Sequence, residues 1–115
     1  MHDILVKSAD DPLQGMSPDE VIEKLKSTLA GTVDKAYYFG SFNTPSFNRY
    51  SDIDLILITD TDTAFADRPL QYLAVMDIVP NIDMLVYTPA EFEKLTRDPS
   101  PGFWRNAVSS LVRFL

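Results

Sequence analysis

The sequence contains no cysteine and a single histidine, His2, near its start. Without thiols there is no disulfide framework, no cysteine-held zinc or iron–sulfur centre and no thiol nucleophile, and one histidine near a terminus leaves a catalytic triad without its base. Basic residues are scarce as well. Against 10 lysines and arginines stand 17 aspartates and glutamates, a formal charge of -7. Such a surface repels nucleic acid at long range, so nucleic acid is not expected as a major partner. No apolar run is long enough to span a bilayer, and Asp3, Asp10 and Asp11 stand where a signal peptide would carry a basic start and an apolar stretch. No membrane partner is expected, and the expected location is cytoplasmic.

What is present is an ordinary globular balance in a short chain. The 115 residues are 45% hydrophobic and 23% charged, enough for one domain with one core and one site. The acidic surplus is unevenly made: four glutamates and, by difference from 17, thirteen aspartates. Short carboxylates suit turns, helix caps and hard-metal coordination better than helix surfaces.

Residues 1–16 read as an N-terminal arm, with Ile4-Leu5-Val6 and a Pro- and Asp-containing stretch but no sustained period. Residues 17–115 read as the domain. Ser17-Pro18-Asp19-Glu20 has the form of a capping box, and Val21, Ile22, Leu25 and Leu29 then make one apolar face that stops at Gly31. Lys35 to Phe39 is a short aromatic strand ended by Gly40-Ser41, and Phe42 to Tyr50 has loop chemistry. Ile53 to Thr59 is a β-branched, central strand. Leu70, Leu73, Ala74 and Ile78 predict a helix over Pro69 to Ile78, and Ile82 to Tyr87 is again a strand. Thr88-Pro89-Ala90-Glu91 repeats the capping box before a helix carrying Phe92 and Leu95. A helix over Phe103 to Ser109 and a last strand within Leu111 to Leu115 follow. Helices alternating with strands predict an α/β (α+β) fold, a mixed sheet flanked by helices.

The chemistry concentrates in Gly40-Ser41 and Ser51-Asp52-Ile53-Asp54-Leu55. In a strand Asp52 and Asp54 share one face while Ile53 and Leu55 take the other. Two adjacent carboxylates repel, and a divalent, oxygen-seeking cation relieves them. Asp83 interrupts an otherwise apolar strand, where a lone buried carboxylate is costly unless solvated, paired or metal-bound. If the two strands are neighbours, three carboxylates can surround two metal ions spaced about 3.5 to 4 Å apart, as in phosphoryl transfer. Gly40 lets the backbone approach phosphate oxygens, to which the following N–H groups and the Ser41 hydroxyl can donate.

Each residue also has a plainer use. Asp52 and Asp54 can be a solvated strand start, Asp83 an edge-strand acid or a salt-bridge partner, and Ser41 and Ser51 turn hydroxyls. Asp60-Thr61-Asp62 repeats the acid spacing but follows its strand, and is read as a turn or cap. Tyr37, Tyr38, Phe103 and Trp104 are read as packing residues.

Gly40-Ser41 followed across a loop by Ser51-Asp52-Ile53-Asp54-Leu55 resembles the signature of the DNA polymerase beta-like nucleotidyltransferase superfamily, most of all its minimal nucleotidyltransferases (MNT type). The resemblance spans about residues 18 to 115. It implies two Mg²⁺ ions held by Asp52, Asp54 and Asp83, which are then both the catalytic and the metal residues. It places Gly40 and Ser41 on a nucleoside triphosphate, ATP, with Ser51 and Arg49 completing the nucleotide-binding set. It implies transfer of a nucleoside monophosphate, AMP, to a hydroxyl acceptor, on a HEPN-type partner protein in the toxin–antitoxin pairs of this branch. Thr44 and Pro45 depart from the branch, which usually has an arginine and a glycine at these places. The alternative expectation is therefore a catalytically degenerate, nucleotidyltransferase-like binding module of antitoxin type.

Overall fold

A computed structural model describes residues 11–98 and 103–115. Helix α1 (Pro18–Leu29) starts where the capping box predicts: Ser17 Oγ accepts from Glu20 N at 3.1 Å, and Glu20 Oε1 accepts from Ser17 N at 3.0 Å. Its apolar stripe, Val21, Leu25 and Leu29, is buried. Strands β1 (Lys35–Phe39), β2 (Ile53–Ile58), β3 (Ile82–Tyr87) and β4 (Val112–Arg113) form one sheet in the order β3-β2-β1-β4. β1 runs antiparallel to β2 and β4, whereas β2 and β3 are parallel. The fold is thus α+β with a mixed sheet, as the alternation of elements predicts.

The segment between β2 and β3 departs from expectation. In place of one helix over Pro69 to Ile78, a 3-10 helix, Phe65–Tyr72, leads into the short α2 (Leu73–Met76). Pro69 lies inside the 3-10 run, where it lacks an N–H to donate and disfavours α geometry in the residue before it. That residue, Arg68, is buried. Its guanidinium donates to Thr63 O and Val86 O, both at 2.9 Å, and grips Glu91 through Nη1–Oε1 at 2.7 Å and Nη2–Oε2 at 3.3 Å. One cation thereby ties the 3-10 segment, β3 and helix α3 (Pro89–Arg97) together.

The sheet has unequal faces. On one, Ile53, Leu55, Leu57, Met84 and Val86 pack with the α1 stripe, Val75 and Val79 into the larger core. The other face carries a smaller cluster of Phe39, Ile56, Ile58 and Ala107, the last from α4 (Phe103–Ser109), with Phe92 of α3 against it. Before α1, Asp11 Oδ1 and Oδ2 accept from Leu13 N and Gly15 N at 3.0 and 2.6 Å, and Leu13 joins the larger core. The first ten residues of the expected arm lie outside the described residues. Among those described, no helix is long and apolar enough to cross a membrane.

Candidate active site

Asp54 is the second residue of β2, between Ile53 and Leu55, whose side chains enter the larger core. Strand alternation turns Asp54 to the thinly covered face. β3 lies alongside in parallel register, with Asp54 opposite Asp83 and Ile53 opposite Ile82, so Asp83 emerges on that face in the neighbouring strand, about 4.8 Å away by ordinary sheet geometry. Asp52 immediately precedes β2 and completes the group. Burial, then the charges of Asp83 and Asp52, push the Asp54 carboxyl from 3.8 up to about 6. Asp83 is pushed up by burial and by the charge and hydrogen bonding of Asp52. Among the described residues, no lysine or arginine forms an ion pair with any of the three.

Asp52 and Asp83 are exposed and Asp54 half-buried, so the three carboxylates form a solvent-facing group at one sheet end whose oxygen donors are of the kind that Mg²⁺ selects. Among the described residues, no group of three or more histidine, cysteine, aspartate or glutamate side chains stands in a position to hold a metal ion between them. The fit to a metal rests on donor type and strand register.

Gly40 ends β1 with φ at +76°, and the pairing of Phe39 with Asp54 sets its turn beside the carboxylate. The positive φ favours glycine, and a Cβ there would stand 2.9 Å from Asp54 Oδ2, so that carboxylate would have to shift. Phe42 anchors the turn from below. It is buried, edge-on to Tyr38 and Phe47 with ring centroids 5.1 and 5.6 Å away. Ser41 is half-buried, and its carbonyl accepts from Thr44 N at 3.1 Å and from Thr44 Oγ1 at 2.6 Å. Among the described residues the N–H groups of Ser41 and Asn43, one half-buried and the other exposed, donate to no acceptor, which leaves them open to an anion.

Ser51 and Arg49 are engaged within the loop. Ser51 Oγ accepts from Asn48 N at 3.1 Å. Arg49 Nη2 donates to the Tyr50 hydroxyl at 2.9 Å, with the guanidinium 4.9 Å from that ring's centre, and does not pair with the three carboxylates. The turn after β2 is closed by Thr61, whose Oγ1 accepts from Thr63 N at 3.1 Å, while the 3-10 segment has no side-chain cap. Sequence reasoning missed Asn106 and Ser110. With Phe39, Gly40, Asp54 and Ala107 they line a recess of about 170 Å³. No local motif announces them, because they arrive through the packing of α4 on the sheet.

The sequence profile of the family described as polymerase beta, nucleotidyltransferase matches residues 23–110, and the chain belongs to that family. The match covers the glycine turn and all three aspartates. No curated protein matches the chain. Among solved structures, a Sulfolobus solfataricus protein described as a candidate nucleotidyltransferase is similar, with 20% identity and a TM-score of 0.46 over 70% of this chain and 81% of that one.

Proposed function

We propose that the chain is a Mg²⁺-dependent nucleotidyltransferase of the minimal branch, moving AMP from ATP to a hydroxyl acceptor carried by a HEPN-type partner protein, the new bond forming at the α-phosphorus as the α–β anhydride bond breaks and pyrophosphate leaves. The observation that supports this most directly is the parallel register that sets Asp83 beside Asp54 on the face where Gly40 turns. Asp52 and Asp54 would hold one Mg²⁺, and Asp83 would share a second. When bound, the ions neutralise triphosphate charge and lower the pKa of the acceptor hydroxyl. Asp83 takes the acceptor proton directly or through water. The Ser41 hydroxyl and the open N–H groups of Ser41 and Asn43 donate to phosphate oxygens, with Ser51 and Arg49 completing the nucleotide contacts from across the loop. Incubation with Mg²⁺ and ATP labelled at the α-phosphate, alone and with a HEPN-type partner, tests the reading. Label should pass to protein, and Asp52→Asn or Asp54→Asn should reduce transfer by at least about a thousandfold. Transfer retained in either variant refutes the assignment.

A second reading is favoured by Thr44 and Pro45, since Thr44 spends its hydroxyl on the Ser41 carbonyl and cannot supply a cation to phosphate. On that reading the domain binds its partner without turnover. Calorimetric titration of ATP with Mg²⁺ separates the two, because a degenerate site produces no metal-dependent heat.

A further inference from the structure

Gly40 donates its N–H to Ser110 Oγ at 3.3 Å, across 70 residues of sequence, and the same hydroxyl donates to Ala107 O at 3.1 Å. Ser110 follows the last residue of α4, so this relay fastens the glycine turn to the end of the helix. The turn has little freedom on its other side. Gly40 lies against Asp54, and the Phe42 side chain is sunk in the larger core. The relay also sorts the turn's donors: Gly40 N–H is taken by Ser110, while those of Ser41 and Asn43 stay open.

We infer that Ser110 is a positioning residue, holding the Gly40 turn against Asp54 so that the open N–H groups of Ser41 and Asn43 are fixed for the triphosphate. The inference rests on the nucleotidyltransferase reading. Nothing about Ser110 touches the transferred group; it acts through Gly40. An untethered turn must be ordered when the ligand arrives, and that entropy is subtracted from affinity.

Two measurements on full-length wild type, Ser110→Ala and Ser110→Thr test it. Amide hydrogen exchange followed by NMR reads the tether itself, with no need for activity. In Ser110→Ala the Gly40 amide should lose protection by about tenfold or more while β1 and β2 amides keep theirs, and Ser110→Thr, which retains the hydroxyl, should restore it. Calorimetry with ATP and Mg²⁺ reads the consequence: Kd should rise about tenfold in Ser110→Ala and stay within about twofold of wild type in Ser110→Thr. Wild type that binds ATP with Ser110→Ala binding equally or more tightly overturns the inference alone. So does a Gly40 amide that exchanges equally fast in wild type and Ser110→Ala. A wild type that binds no ATP in the presence of Mg²⁺ overturns the nucleotidyltransferase reading, and the positioning role with it.

Discussion

Asp54 carries opposed demands. Its carboxyl is pushed from 3.8 up to about 6, so the folded state holds that proton more tightly than the unfolded chain does. The group's contribution to stability is therefore full below pH 4 and is lost as pH rises through about 6. Asp54→Asn removes the ionisation. The Tm difference between variant and wild type without metal should be small at pH 4 and grow to about 4 °C in the variant's favour at pH 7.5, the carboxylate being only partly shielded from solvent. Mg²⁺ should close the gap by stabilising wild type alone. A constant difference across that range, measured by calorimetry, would remove the electrostatic account. Gly40 faces the same carboxylate from the other side. Gly40→Ala meets a positive φ and a 2.9 Å approach to Asp54 Oδ2 together, and should cost about 2 kcal/mol in urea unfolding while abolishing metal-dependent nucleotide binding.

The elements were legible where local chemistry decides them. Both capping boxes, at Ser17 to Glu20 and Thr88 to Glu91, start helices in the structure, and the acid-bearing strands lie as their alternation predicts. The stretch between β2 and β3 was not, because its conformation is set by a distant partner. Arg68 sits in a segment whose apolar spacing suggests a plain amphipathic helix, yet it turns inward to Val86 O and Glu91. Removing it leaves two carbonyls and a carboxylate without their donor. Arg68→Met should cost about 3 kcal/mol by chemical denaturation. Glu91 serves this pair and the Thr88 capping box at once; hydrogen bonds from Arg68 and then from Thr88 hold its carboxyl down at about 2. Its contribution to stability is present above the unfolded value of 4.5 and is lost as pH falls from there through about 2. Glu91→Gln should therefore flatten the acid limb of the stability curve, a sign opposite to that at Asp54.

At the scale of the whole molecule, the sheet's two faces divide the work. The face under α1 supplies the larger core, and the thinly covered face leaves room at one end for the carboxylates and the glycine turn. Asp54 and Asp83 could be read from sequence because each lies in a strand whose periodicity turns it to one face, while Asp52 stands just before β2, and the α4 side of the recess could not, since only the packed sheet brings Asn106 and Ser110 to Asp54. Concentrating like charge there is unfavourable for a chain that already carries -7. The folded state thus gathers anions that the unfolded chain keeps apart, and on the proposed reading a divalent cation binds the former far better than the latter. Mg²⁺ alone, without nucleotide, should raise the Tm of wild type in proportion to the logarithm of its concentration, approaching about 2.7 kcal/mol of added stability at a hundredfold excess over its Kd. The combined variant Asp54→Asn with Asp83→Asn, its charge relieved, should be more stable than wild type without metal and should not respond to Mg²⁺. Equal responses to Mg²⁺ in the two proteins would place the ion on the general acidic surface instead of the paired strands.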